Sequence, residues 1–102
     1  MSIKKQYLKS KPICKVTFSI DKKEANGANK IYLSGDFNDW ATAEDELTSL
    51  KNGSFKITKE LPSDSEYQFR YLIDGEYWAN DREADKYADN GVSNEQNCVL
   101  VI

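Results

Sequence analysis

Tyr67-Gln68-Phe69-Arg70-Tyr71-Leu72-Ile73-Asp74-Gly75 carries the longest strand pattern in this sequence of 102 residues. Aromatic and β-branched residues occur at every second position from 67 to 73, as expected for a strand with one buried face. Asp74-Gly75 then predicts a turn, because both residue types adopt the backbone conformations that turns require. The stretch therefore predicts an antiparallel strand that runs directly into a hairpin.

The same alternation extends outward from this strand. Residues 14–20 alternate apolar and polar side chains, residues 31–33 repeat the pattern briefly, and residues 98–102 are almost continuously apolar. Asn52-Gly53 is a strong hairpin signal, since type I′ turns need positive φ at both central residues. About seven short strands, with turn signals at intervals of roughly 8 to 12 residues, predict an all-β, immunoglobulin-like sandwich.

The composition excludes several kinds of chemistry. The sequence has no histidine, which excludes histidine-based triads and the HExxH metal helix. It also lacks the glycine-rich nucleotide motifs and CxxC, and Asp81, Asp85 and Asp89 lack the order of an EF-hand loop. The formal net charge of -3 argues against nucleic acid as a partner. We therefore predict a protein that is not an enzyme and needs no metal or cofactor.

The N-terminal region is basic. Residues 1–12 contain four lysines and no acid, and we interpret them as a mobile N-terminal arm before a single domain over residues 13–102.

No segment resembles a signal peptide or a membrane span, so a cytoplasmic protein without membrane contact is expected. In that compartment Cys14 and Cys98 are expected to be small buried side chains rather than a disulfide. The sequence leaves open whether they lie close together.

Each of the two tryptophans lies beside a turn. Trp40 ends the segment Gly35-Asp36-Phe37-Asn38-Asp39-Trp40, and Trp78 follows the turn at Asp74-Gly75. An indole in such a place offers a flat apolar face, which can stack on a pyranose ring, and an N–H that still finds a partner. This placement fits an exposed platform and a partly buried packing anchor equally well.

An ordered series of motifs covers roughly residues 13–102. It consists of Ile31 to Trp40, Gly53-x-Phe55, Leu61-Pro62, Tyr67 to Gly75, Trp78-x-x-Asp81 and Asn97-x-Val99-Leu100-Val101. This series resembles carbohydrate-binding module family 48, which includes the glycogen-binding domain of the AMP-activated protein kinase β subunit and the isoamylase N-terminal domain. The resemblance implies an early-set, immunoglobulin-like β-sandwich that binds α-1,4-glucans without catalysis.

The resemblance also implies the contact residues. It assigns stacking tryptophans to Trp40 and Trp78 and a sugar-contacting cation to Arg70, where the kinase-type pattern has lysine. Asn94 and Gln96 are the candidates for a polar contact before the last strand, in a loop longer than its kinase counterpart. We therefore predict a non-catalytic module whose partner is an α-glucan polysaccharide or oligosaccharide. The alternative is a protein-interaction module that docks on a glycan-metabolising enzyme without binding sugar.

The hairpin after residue 73 decides whether Trp78 and Arg70 share a face of the sheet. A two-residue turn would place Trp78 opposite Tyr71, on the core side. A three-residue loop over residues 74–76 would pair Trp78 with Leu72 instead, on the same face as Arg70. We predict the longer loop, because sugar binding at both residues requires it.

Overall fold

A computed structural model describes residues 1–89, 91 and 95–102, and its regular secondary structure consists almost entirely of antiparallel strands. The strands are β1 (Ser2–Tyr7), β2 (Ile13–Ile20), β3 (Ile31–Gly35), β4 (Asp45–Glu46), β5 (Thr48–Ser49), β6 (Phe55–Pro62), β7 (Glu66–Ile73), β8 (Tyr77–Ala79), β9 (Lys86–Asp89) and β10 (Gln96–Val101). A short helix, α1 (Lys22–Ala25), follows β2, and a single 3₁₀ turn (Asp36–Asn38) follows β3.

The strands form two sheets that enclose the core. The first sheet has the order β1-β2-β6-β5, and the second has the order β4-β3-β7-β10-β9, with β8 also paired to β7. The predicted all-β sandwich is confirmed. The structure has more strands than the sequence indicated, partly because β4 and β5 have only two residues each, too few to produce an alternating pattern.

Alternate side chains of the strands fill the space between the sheets. On β2 the buried residues are those at even positions, Cys14, Val16, Phe18 and Ile20. The ring centroid of Phe18 lies 5.3 Å from that of Phe69, which in turn lies 5.9 Å from that of Tyr71, both in edge-on geometry. Edge-on contacts of this kind add to the free energy gained from burial. The strand with the longest sequence pattern, β7, therefore lies at the centre of the core.

The N-terminal residues form a strand rather than a mobile arm. Residues 2–7 pair with β2 along their whole length, and Ile3 packs against the core. Lys5 Nζ donates to both carboxylate oxygens of Asp85, at 2.7 and 2.8 Å, and to the carbonyl oxygen of Val101 at 3.0 Å. Lys5 thus connects the first sheet to the second. The prediction of a mobile terminus is wrong for residues 2–7. It was based on their charge, whereas main-chain pairing with β2 determines their structure.

A buried carboxylate fixes the segment that follows β8. Asp81 is fully buried, and its side chain accepts hydrogen bonds from the Tyr71 hydroxyl and the Glu83 backbone N–H, both at 2.8 Å. The Asp81 N–H donates to Cys98 Sγ at 3.0 Å, and its carbonyl oxygen accepts from the Tyr87 hydroxyl at 2.6 Å. A buried carboxylate is costly unless it is hydrogen-bonded. These bonds therefore tie the segment to β7 and β10.

Both cysteines are free thiols buried in the core. Cys14 lies on β2 and Cys98 on β10, so the two belong to different sheets. Burial raises the pKa of the Cys98 thiol to about 11 from its ordinary value of 9.0.

Within the described part of the chain, no helix has both the length and the apolar character needed to span a membrane.

The native thiols are expected to react slowly with Ellman's reagent at about pH 7.5, because the thiolate is the reactive form and burial suppresses it at Cys98. Both thiols should react fully once the chain is unfolded in guanidinium chloride. A thiol count in the presence and absence of denaturant tests this. Rapid reaction of one or two equivalents in the native protein would contradict it.

Stability is expected to fall at alkaline pH. Burial, reinforced by the Asp81 charge and hydrogen bond, raises the pKa of Tyr71 well above its ordinary value of 10.0, and Cys98 shifts in the same direction. In the unfolded chain both groups ionise near their ordinary values, so unfolding releases protons above about pH 9. The stabilisation from both groups is therefore complete below that pH and declines as the pH rises.

Urea unfolding at several pH values between about 7 and 10.5 measures this decline. Tyr71→Phe should lower the free energy of unfolding at neutral pH by about 1–3 kcal/mol, because Asp81 loses a donor. The same substitution should also flatten the alkaline decline. Tyr7→Phe, at a tyrosine that is 56% exposed, is the matched control. An alkaline decline of the same slope in Tyr71→Phe and wild type would disprove the assignment.

Candidate functional site

Trp78 and Arg70 lie on the same face of the second sheet. In the β7–β8 hairpin Leu72 pairs with Trp78 and Ile73 pairs with Tyr77, so residues 74–76 form the loop. The predicted three-residue loop is confirmed. Because side chains alternate along a strand, this register directs Trp78 to the outer face, where Arg70 and Leu72 also point. Trp78 is 41% exposed, as a platform for a ligand must be.

The backbone of the loop explains this register. Asp74 and Gly75 have φ values of 53° and 69°, and the Glu76 N–H donates to the Ile73 carbonyl oxygen at 3.0 Å. Asp74 Oδ1 also accepts the backbone N–H groups of Asn29 and Lys30, at 2.8 and 2.9 Å. The loop is therefore anchored to the segment before β3, and its length sets the direction of Trp78.

Trp40 is held by hydrogen bonds at the end of β3. Asp39 and Trp40 have φ values of 54° and 59°, a region that bulky side chains rarely adopt, and the Trp40 N–H donates to the Gly35 carbonyl oxygen at 2.8 Å. Asp36 accepts the indole N–H of Trp40 at 3.0 Å through Oδ1 and the backbone N–H of Gln68 at 2.8 Å through Oδ2. One carboxylate thus links the indole to β7.

The turn that carries Trp40 lies very close to β7. A Cβ atom added at Gly35 would lie 2.5 Å from the Gln68 carbonyl oxygen and 2.8 Å from the Phe69 Cβ, so only glycine fits there. The Asn38 side chain accepts the Gly35 N–H at 3.0 Å and donates to the Leu33 carbonyl oxygen at 2.9 Å. These contacts determine where the indole lies above the sheet.

Arg70 is an oriented cation beside the Trp78 ring. It is only 9% exposed, its Nε donates to Asn80 Oδ1 at 2.9 Å, and its Nη1 donates to Glu95 Oε2 at 2.8 Å. The guanidinium carbon lies 5.9 Å from the centre of the Trp78 ring, within the range of a cation–π contact. Asn80 is held in turn, since its Nδ2 donates to the Gln96 carbonyl oxygen at 2.8 Å.

These residues line one open groove with a volume of about 450 Å³. The remaining described lining residues are polar, namely Asp36, Gln68, Glu95 and Asn97. Asn97 Nδ2 donates to Gln68 Oε1 at 3.0 Å, which connects β10 to β7 across the floor. Among the residues that the structure describes, no cluster of acidic or cysteine side chains is arranged to hold a metal ion. The groove combines two indole side chains with hydrogen-bonding groups.

The groove contains three of the five residues predicted as sugar contacts, namely Trp40, Arg70 and Trp78. Gln96 is not among its described lining residues, and its carbonyl oxygen supports Asn80; a sugar contact by its side chain stays a prediction. Asn94 lies outside the described residues.

Sequence reasoning did not select Asp36, Gln68, Glu95 or Asn97 as contact residues. Strand alternation contained a signal for Asn97, because Cys98 and Leu100 face the core and Asn97 and Val99 must therefore face outward. The contact of Asp36 with Gln68 joins positions 32 residues apart, and no local pattern reports it.

Comparison with known proteins shows similarity to one family. The model of the family described as the glycogen recognition site of AMP-activated protein kinase matches residues 19–102. The 5'-AMP-activated protein kinase subunit beta-1 of Sus scrofa is 38% identical over 55 residues, which are 54% of this chain and 41% of that protein. The matched region thus spans about two fifths of the length of that relative.

Asp36→Ala is expected to loosen Trp40, because the indole N–H and the Gln68 N–H both lose their acceptor. In a Trp78→Phe background Trp40 is the single tryptophan, so its acrylamide quenching should increase and its fluorescence anisotropy should decrease. Loss of two hydrogen bonds should also lower the free energy of unfolding by about 1–3 kcal/mol.

Two variants serve as controls for this measurement. Asp36→Asn keeps one acceptor oxygen and should give a smaller change, whereas Glu60→Ala removes an exposed carboxylate on the first sheet and should give none. Equal quenching in all four proteins would show that Asp36 does not hold the indole.

Proposed function

The chain belongs to the glycogen-recognition family of AMP-activated protein kinase, and from this membership we propose that it binds α-1,4-glucans in the groove between Trp40 and Trp78. The observation that supports the proposal most directly is the presence of both indoles and Arg70 in one open groove. Glycogen, starch and maltooligosaccharides present the same sugar unit, so the proposal covers all three.

The chemistry of a pyranose ring matches the two kinds of surface in the groove. The C–H groups on one ring face are apolar and stack on an indole, which contributes about 0.5–1.5 kcal/mol beyond area burial. The hydroxyl groups at the ring edge need donors and acceptors, and Arg70, Gln68 and Asn97 line the same groove as the two indoles. Arg70 is already oriented by Asn80 and Glu95, so little side-chain entropy is lost when a sugar binds.

The affinity of such a site is modest. Two stacking contacts and a few hydrogen bonds in competition with water leave about -4 to -7 kcal/mol after the cost of association. This corresponds to a Kd between roughly 10 μM and 1 mM. A polymer with many equivalent binding sites raises the apparent affinity of a module that is joined to other binding units.

The proposed module acts without catalysis. The two carboxylates of the groove have other partners, since Asp36 accepts from Trp40 and Gln68, and Glu95 accepts from Arg70.

The free thiols of Cys14 and Cys98 suit a reducing compartment, so we propose a cytoplasmic location.

A titration followed by tryptophan fluorescence and calorimetry tests the proposal. Maltoheptaose and β-cyclodextrin should give saturable binding to the wild-type protein. Trp40→Ala and Trp78→Ala should each raise Kd by about ten-fold or more, which is about 1.4 kcal/mol of binding free energy. Tyr7→Ala, at an exposed aromatic residue of the first sheet, should bind like wild type.

The opposite outcome would support a docking module. We consider this alternative because the relative from Sus scrofa is a subunit of a kinase. The alternative function is therefore association with an enzyme. Absence of binding up to tens of millimolar sugar, where the interaction is worth less than about 3 kcal/mol, would reject the glucan proposal for a folded protein. A stable complex with a glycan-metabolising enzyme that Trp40→Ala leaves intact would then establish the alternative.

A further inference from the structure

A second groove lies beside the first on the outer face of the second sheet. It is lined by residues of the segment before β3, of β3 itself and of the β7–β8 loop, namely Asn29, Lys30, Tyr32, Asp74, Gly75 and Glu76. Tyr32 on β3 pairs with Leu72 on β7, and Leu72 pairs with Trp78 on β8. Directly opposed residues project from the same face of a sheet, so these three side chains form one lateral row.

This row is apolar and begins at the Trp78 platform. Neighbouring strands lie about 4.8 Å apart, so the backbones of Tyr32 and Trp78 are about 10 Å apart across β7. Leu72, between them, is only 7% exposed although it points outward, which means that neighbouring side chains cover it. Trp78 is 41% exposed and Tyr32 is partly exposed. The row therefore has a partly exposed aromatic side chain at each end and a buried leucine between them.

Polar groups surround the Tyr32 end of the row. Lys30 and Glu76 have exposed side chains in the groove, and Glu46 lies opposite Tyr32 on β4. The loop that contributes Glu76 is anchored by the bonds from the Asn29 and Lys30 N–H groups to Asp74. A partly exposed ring with a rim of donors and acceptors is the same chemistry that makes the first groove suitable for a sugar.

We propose that the Tyr32 groove extends the glucan site and binds further sugar units of a chain already held at Trp78. The inference rests on the proposed function, because it needs a glucan in the first groove. The Tyr32 side chain then contributes to binding only when the chain is long enough to cross Leu72. Affinity for long chains therefore depends on Tyr32, and affinity for short chains does not.

Calorimetric titration with maltotetraose and maltodecaose tests this dependence. Tyr32→Ala should raise the Kd for maltodecaose by about three- to ten-fold and leave the Kd for maltotetraose unchanged. Tyr32→Phe keeps the ring and should bind like wild type, Tyr7→Ala is the control for loss of an exposed tyrosine elsewhere, and Trp78→Ala should weaken both ligands.

An NMR titration of the wild-type protein is independent of how the variants fold. The backbone amide signals of Tyr32 and Glu76 should shift with maltodecaose and not with maltotetraose. Unshifted signals with a bound decamer, or an equal effect of Tyr32→Ala on both ligands, would overturn the extension and leave the proposed function intact. Failure of both oligosaccharides to bind the wild-type protein would reject the proposed function and the extension together.

Discussion

Side chains on β7 alternate between the core and the outer face of the second sheet, and this alternation couples the candidate site to the fold. Phe69 and Tyr71 are fully buried, so Gln68, Arg70 and Leu72 must point outward. The strand pairs with β3 along one edge, and with β10 and β8 along the other. The groove residues outside β7 therefore lie on its neighbouring strands or in the segments next to them, and the burial of two aromatic rings determines the floor of the site.

Two carboxylates, Asp36 and Asp81, accept hydrogen bonds that hold neighbouring segments in place. Asp81 bonds the Tyr71 hydroxyl from the core side, and Asp36 bonds the Gln68 N–H and the Trp40 indole from the outer side. Both attach a loop to β7. Several acidic residues near turns can suggest a hydrolase, yet Asp36 and Asp81 each have hydrogen-bond partners that account for their position.

The open shape of the two grooves is compatible with the proposed binding of a polymer. Both grooves lie on the face of a sheet and are open to solvent. An open face with aromatic and polar groups in rows suits a repetitive polymer, because successive sugar units can meet successive rows. Modest affinity per chain is then sufficient, since the polymer presents many sites.

The amino-acid sequence by itself determined the inward faces of β2 and β7, because these depend on a short-range period of two residues. The period left two lengths open for the loop that directs Trp78, and the longer one was predicted from the sugar binding that the family resemblance implies. The same resemblance selected Trp40, Arg70 and Trp78 as contact residues. Only the tertiary structure decided that residues 2–7 form a strand and that Asp36 holds Trp40. The bond from Lys5 to Asp85 joins positions 80 residues apart, and two strand pairings place Tyr32 and Trp78 on either side of Leu72. Such contacts depend on strand order and register, which follow from the packing of the whole chain and leave no periodic trace in the sequence.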